Sequence, residues 1–442
     1  MPRTIPESAE LLVSPKILPH SWSDELVVSG EYEHTKPLPD AEYRFEVVST
    51  FFYSASDRRK LPITGTVRAG ADGTVRIPFN PDIDGEWILT VSSEDDKRKN
   101  IPFTLALYVL PEELESYRPY VGEFHSHSTS SDGRQEPAYP PMRARTFGFD
   151  FYTLTDHWCY ESSQRMIDEV GKTLGSMVLF NGEEMHPERE VLIGTDGVSP
   201  HYHHYHYVAI GHRASVRDAF IDGGETTQRE VAAIAAELTA RGVDPTVDLV
   251  PYAEGVWKLR KAKELGGLTL FAHPFWANPV NLDAGSIAQT FADREFDAVE
   301  AISVADDSSY MANKLLELRG DSEPVPVVGV SDSHNWQETM LCKTCTVVFA
   351  AEPARGAILD AVREGRSVAC RMTDPLELVG PFRLVDYTSF YLQRILPLRR
   401  RIMSIQGNLA LSRLRGGAFS QSLVDSFEKD LTALDRSIWR RT

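Results

Sequence analysis

Thirteen histidines stand in 442 residues, and most of them fall in close pairs or beside carboxylates. His125 and His127 occur in Gly122-Glu-Phe-His-Ser-His-Ser-Thr-Ser-Ser-Asp-Gly133. Residues two apart share one face of a strand, so the two imidazoles converge, and Asp132 follows on a turn. His157 ends Phe151-Tyr-Thr-Leu-Thr-Asp-His157, and Glu183 and Glu184 follow the apolar run that begins at Met177. His204 and His206 share a face at the entry to Tyr207–Ile210; His273 closes Leu268-Thr-Leu-Phe-Ala-His273; Asp332 and His334 close Val328-Gly-Val-Ser-Asp-Ser-His334. Imidazole and carboxylate together are ligands for zinc, manganese or iron, and no cysteine joins the set. One strand-end histidine is ordinary. Five or more strand ends doing the same thing predict a polynuclear metal site.

The elements that must position these groups are legible as apolar runs. Phe149–Leu154, Met177–Phe180, Tyr207–Ile210, Leu268–Phe271, Ala298–Ile302 and Val325–Val330 alternate with polar, helix-compatible stretches such as the Ala-rich Arg229–Arg241. That alternation predicts an α/β fold with a parallel sheet closed into a barrel, whose functional side chains gather at the C-terminal strand ends. Before it, residues 1–117 alternate with a period of two (Tyr43, Phe45, Val47; Val75, Ile77, Phe79; Trp87, Leu89, Val91; Phe103, Leu105, Leu107, Val109), the pattern of a β-sandwich, with no chemical cluster. The barrel is expected over 118–378 and a helical tail over 379–442. In the tail Leu423, Phe427, Leu431, Leu434 and Ile438 form an amphipathic stripe suited to packing on the barrel or on a second subunit.

Composition narrows the function. The net charge of −18, with no basic run to offset it, argues against nucleic acid and anionic membranes. No apolar stretch approaches the ~18 residues of a membrane span, the first residues lack a signal-peptide core, and four cysteines suit a reducing compartment. The expectation is a cytoplasmic protein. Cys342-Lys-Thr-Cys345 reads as a structural pair, and His20 and His34 as surface residues.

The His-x-His with Ser-Asp-Gly, the Thr-Asp-His, the Gly-x-Glu, the Ala-His-Pro and the Ser-Asp-Ser-His, in that order over residues 120–340, resemble the motifs of the PHP (polymerase and histidinol phosphatase) superfamily of metallohydrolases. The β domain ahead of them is similar to the architecture of its carbaryl-hydrolase-like subgroup. The resemblance implies a distorted (β/α)7 TIM-like barrel holding two or three divalent ions (Zn, Mn or Fe). His125, His127 and Asp332 would hold the first. Glu184 would bridge to the second, completed by His206 and His273. Asp132, His157 and His334 would hold the third. Gly182, two residues ahead, selects Glu184 over Glu183; His206 is preferred to His204 because it directly precedes the strand. Asp156 is expected to orient a ligand. A metal-bound water held by Glu184, His206 and Asp332 would be the nucleophile, since no Ser-His-Asp or Gly-x-Ser-x-Gly context is evident.

Arg134, Trp158, Trp276 and Asn335 are the candidate substrate contacts; Trp158 departs from the small polar residue frequent at that family position. Phe124, Tyr139, Tyr160, Phe275 and Trp336 also lie near proposed ligands, and Arg143 and Arg145 could meet a phosphate but read first as surface residues. The polar stretch from His186 to His203 is either a surface loop or a lid. A small, anionic phosphoester, with room beside it for an aromatic group, is the leading substrate, and a carboxyl ester, amide or carbamate the alternative. A regulatory module and a nuclease are weaker readings.

Overall fold

The computed structural model describes residues 11–50, 62–96, 102–186, 205–276, 284–303, 308–318, 324–337, 343–418 and 420–439. The chain folds as two units. The first comprises residues up to Tyr117 with Ser389–Arg399 and the chain from Lys429 onward; the second comprises Arg118–Thr388 and Arg400–Glu428.

In the first unit the period-two runs become strands of two sheets, one of Leu11–Ser14, Asp24–Gly30 and Val75–Phe79, the other of Ile17–Leu18, Glu42–Ser49, Ile63–Arg68, Gly85–Ser92 and Phe103–Val109. Tyr43, Phe45 and Val47 are buried while Glu42, Arg44 and Glu46 between them are exposed, as alternation across a pleat requires. Inward residues of both sheets form one apolar cluster. Of the tail stripe, Leu431 and Ile438 are buried in the helix Gln421–Ile438, but Val424 takes the inward place expected of Leu423, which is exposed. A shift of one residue turns a helical side chain by about 100°, so the apolar face lies slightly off the stripe read from sequence.

The second unit is mixed α/β. Its strands form a six-stranded sheet, in the order Val178–Phe180, Phe151–Thr153, Arg118–Glu123, Thr344–Ala350, Ser367–Arg371, Glu377–Val379, and a five-stranded sheet, in the order Gly182–Met185, Tyr207–Ile210, Leu268–Phe271, Ala298–Ile302, Val327–Gly329. Their hydrogen-bonded ladders are separate, and no closed barrel is found among the described residues. The sheets are also not wholly parallel. Tyr207–Ile210 runs antiparallel to both Gly182–Met185 and Leu268–Phe271, while Leu268–Phe271, Ala298–Ile302 and Val327–Gly329 are parallel to one another. Apolar content and β-branching mark a buried strand but not its direction, so the parallel expectation fails at these pairs.

Two turns hold the strand ends in place. The run from Met177 is not one strand: it ends at Phe180, and the chain passes through Asn181 into the other sheet at Gly182. A Cβ at Gly182 would lie 2.6 Å from Thr153 Cγ2 and 2.9 Å from the Leu154 carbonyl, so this close passage requires glycine. A Cβ at Gly133 would lie 2.6 Å from the His127 carbonyl carbon and the Ser128 nitrogen, and Gly133 N–H closes the turn on the Ser128 carbonyl at 2.8 Å.

Candidate metal centre

The strand ends of both sheets converge on one carboxylate. Backbone bonds first lock the ends together: His127 N–H donates to the Ser333 carbonyl (3.0 Å), Asp332 N–H to the His125 carbonyl (3.0 Å) and Ala272 N–H to the His206 carbonyl (3.1 Å). Isolated bridges join Ser126 to Ser333 and His157 to Glu184. Within Gly182–Met185 successive side chains face opposite ways. Glu184 turns inward, whereas Glu183 turns away and accepts from Val216 N–H (2.5 Å) and pairs with His212 (3.1 Å). The Gly-x-Glu spacing thus singles out the carboxylate that the geometry brings to the centre.

Glu184 Oε2 lies 3.2 Å from His125 Nε2, 3.2 Å from His127 Nε2 and 3.0 Å from His157 Nδ1. Its Oε1 lies 2.8 Å from His206 Nδ1 and 3.2 Å from His273 Nε2. Asp332 Oδ1 is 3.0 Å from His127 Nε2 and 3.4 Å from His125 Nε2; Asp132 Oδ2 is 3.0 Å from His334 Nε2 and 3.6 Å from His157 Nε2. All nine proposed ligands therefore come together. They form four overlapping groups, each with its donor atoms within 4.8 Å of one another: His127, Asp132, His157 and His334; His125, His127 and Glu184; His125, His273 and Asp332; Glu184, His206 and His273. The expected three-way partition is looser than drawn, because His127 faces the Asp132 side as well as the Glu184 side.

With the imidazoles neutral, this arrangement would aim several lone pairs at shared points. His125 Nε2 and His127 Nε2 approach to 3.2 Å. Glu184 Oε2 and His157 Nδ1, though 3.0 Å apart, make no hydrogen bond among the described residues. Donors about 2.0–2.2 Å from one tetrahedral ion sit roughly 3.3–3.6 Å from each other, close to these spacings. The residues fit divalent ions, and an all-nitrogen-and-oxygen set suits zinc, manganese or iron.

Electrostatics point the same way. Burial alone would depress the imidazoles, but the Asp332 and Glu184 carboxylates beside it lift His127 to about 10, and Glu184 with Asp332 lifts His273 to about 9. His125 is raised well above its usual value by Glu300, Glu184 and Asp332 against the same penalty. His206 is the exception: burial outweighs Glu184 and lowers it to about 3. Burial works to raise Glu184, Asp332 and Asp132, and the surrounding imidazoles overcome it, holding all three below the usual carboxylate range. The centre demands positive charge, from protons or from metal.

These charges give chelator-treated protein a pH-dependent stability. His127 and His273 are raised above the unperturbed ~6.5, so their contribution to stability is complete below that pH and is lost as pH rises through 9 to 10. The depressed carboxylates contribute above about pH 4 and lose their contribution in acid. The melting temperature of the metal-free protein should fall between pH 7 and 10, while the metal-loaded protein, whose imidazoles are already neutral, stays flat. A melting temperature indifferent to pH over that window in chelator would contradict these charges.

Strained backbone clusters here. Of the five described non-glycine residues with positive φ, Trp158 (51°), His273 (22°) and Asp332 (47°) lie in or beside the ligand ring. Burial is graded across it: His125, His127 and Glu184 are closed off, while Asp132 and His334 are open, with side chains 52% and 38% exposed. Trp276, exposed, stands edge-on to His273 at 5.5 Å. Trp158 stacks on His186 at 3.8 Å, with the Arg217 guanidinium 5.6 Å from its ring. Arg134 is exposed beside the opening, its backbone N–H on the His334 carbonyl (2.8 Å). Asn335 is committed within the loop, accepting from Gln135 Nε2 (2.8 Å) and Gln337 N–H (3.2 Å).

Several expectations change. Asp156 orients no ligand histidine directly; it accepts from Ser128 N–H (2.6 Å), Ser128 Oγ (2.7 Å) and Ser131 Oγ (2.7 Å), shaping the His127–Asp132 turn. Arg145 is fully buried and bound to Gln406, Ser176 and the Phe149 carbonyl, so it is neither a surface residue nor a phosphate contact. Arg143 stacks on Phe147. Phe124 and Trp336 are core. His204, Cys342 and residues 187–203 of the candidate lid lie outside the described residues; Cys345 shares a hydrogen bond with its cross-strand neighbour Cys370, which with burial pushes its thiol well above the usual range. Sequence reasoning missed His186, whose buried ring stacks between Trp158 and His206, and Glu300, which holds His125 from behind at 2.7 Å. A lone glutamate inside an apolar strand was the available mark of the second.

No protein-family profile and no curated protein matches the chain. Among solved structures it is similar to a two-domain protein containing a predicted PHP-like metal-dependent phosphoesterase from Bacteroides vulgatus, with 18% identity, 63% of this chain and 72% of that one covered, and a TM-score of 0.42. It is also similar to a candidate metal-dependent phosphoesterase from Bifidobacterium adolescentis (19% identity, 49% and 89% covered, TM-score 0.33) and to an amidohydrolase from Chromobacterium violaceum with bound sulfate and no metal (16%, 48% and 87%, 0.31). PHP-like metal-dependent phosphoesterases thus stand among the solved structures to which this chain is similar.

Proposed function

We propose that the chain is a metal-dependent hydrolase of small organic phosphoesters, built as a PHP-type barrel preceded in sequence by a β-sandwich module. The observation that carries the reading is the split Glu184 carboxylate, with one oxygen facing His206 and His273 and the other facing His125, His127 and His157. Such a carboxylate suits adjacent ions, and the open Asp132–His334 side suits catalysis, since a purely structural site is closed. Two or three divalent ions held there would ionise a water and stabilise charge on the attacking and leaving oxygens. Three would bring +6 against the −3 of Asp132, Glu184 and Asp332, making a cationic pocket in an acidic protein, fit for an anionic substrate. Arg134 can meet the anion at the mouth, and Trp158 and Trp276 can flank an apolar, planar leaving group.

Turnover of metal-reconstituted protein on para-nitrophenyl phosphate, its bis-aryl diester and para-nitrophenyl acetate tests the substrate class. Phosphate-ester turnover abolished by chelator is the expected result. Turnover of acetate alone would replace this reading with a carboxyl-ester, amide or carbamate hydrolase using the same ligands.

A further inference from the structure

Resting on that metal-centre reading, we infer that Glu300 is a positioning residue that fixes the His125 ring with Nδ1 protonated and Nε2 aimed at the ions. Glu300 lies at the middle of the strand Ala298–Ile302, paired with Val328, and its side chain is fully buried. Its two oxygens serve two different strand ends. Oε1 lies 2.7 Å from His125 Nδ1, and Oε2 accepts from the His273 backbone N–H at 2.8 Å. A carboxylate accepts at both oxygens, so the hydrogen of the first contact belongs to Nδ1. In the neutral ring that a metal ion requires, Nε2 then carries the lone pair, at the point where His127 Nε2 (3.2 Å), Glu184 Oε2 (3.2 Å) and Asp332 Oδ1 (3.4 Å) meet.

The same carboxylate holds the backbone of His273, whose φ of 22° a bulky residue seldom adopts. One side chain thus sets the ring of one ligand and the main chain of another. Glu123, another buried carboxylate close to the centre, differs in kind. Among the described residues its hydrogen bonds come from backbone, from Phe124 N–H (2.9 Å), His125 N–H (3.0 Å) and Ser331 N–H (3.0 Å), rather than from a ligand ring.

Glutamine cannot replace Glu300. With a metal on Nε2 both partners are donors, and an amide offers one acceptor and one NH2, so either a donor faces a donor or His125 gives up the tautomer that binds the metal. The test is zinc affinity of the full chain, measured by competition with a chromophoric chelator, for wild type and Glu300→Gln. Loss of a carboxylate behind a ligand histidine typically weakens metal binding about 10–100-fold, and that loss is the expected result. Unchanged zinc affinity in a folded E300Q protein, even with a lowered melting temperature, would make Glu300 a packing residue and overturn the inference. Should E300Q not fold, 15N-histidine spectra of zinc-loaded wild type decide. A hydrogen on His125 Nδ1 with zinc on Nε2 supports the assignment, and the opposite tautomer overturns it. A wild-type chain that binds no zinc would sink the metal centre itself, a failure distinct from normal wild-type binding with an indifferent variant.

Discussion

Glu184→Gln should lower turnover by about 10²–10³-fold and release metal from the purified protein, on the scale of losing a preorganised electrostatic group in an active site. Five imidazole nitrogens face its two oxygens. The amide retains one acceptor, and its NH2 must point either at His206 and His273 or at His125, His127 and His157. Each orientation strips a carboxylate oxygen from one cluster, and the variant also removes a charge that helps hold divalent ions. Glu183→Gln is the matched control, because Glu183 lies on the other face of the same strand and serves Val216 and His212. It should lose stability but keep its metal. Elemental analysis and kcat of the two variants side by side check the pair; metal retained equally in both would remove Glu184 from the centre.

Chelation should produce the second large effect. A ligand that binds only the folded state stabilises by roughly 4 kcal/mol when present at a thousand times its dissociation constant. For a unit of this size that corresponds to a shift of about 6 °C in melting temperature. The ligands all lie in the unit containing Arg118–Thr388. Scanning calorimetry should therefore show the transition of that unit fall on chelation and recover when metal is restored. A thermogram unchanged by exhaustive chelation of demonstrably metal-bound protein would mean that the ions are adventitious surface guests.

The sequence exposes the candidate ligands because their chemistry is local. His125 with His127, and Asp332 with His334, are side-by-side groups whose i, i+2 spacing already places them on one face. The choice of Glu184 rests in the sequence on the family-like Gly-x-Glu spacing, and the structure supplies a reason for the glycine, which passes close to Thr153 and Leu154. What escapes is whatever depends on residues far apart in the chain. Glu300 and His125 are 175 residues apart and meet only once two strands have found their places in different sheets. Strand direction escapes for the same reason: nothing in Tyr207–Ile210 says that it runs against both neighbours. Arg145 looks like a surface cation because its acceptor Gln406, 261 residues away, is supplied by tertiary packing. The tail stripe misses by one residue, Val424 for Leu423, because periodicity fixes the face of a helix only to within a residue's rotation.

The central claim is that Glu184 and the eight side chains around it form a functional polynuclear metal centre. The most direct measurement is the number of transition-metal ions per chain in the full-length protein, by plasma mass spectrometry after reconstitution and exhaustive dialysis, with para-nitrophenyl phosphate turnover recorded on the same sample. Two or three ions of zinc, manganese or iron per chain, with turnover rising in step with occupancy, is the predicted result. A chain that retains no ion and turns over nothing would contradict the account, and the converging imidazoles would then be a buried proton network rather than a metal site.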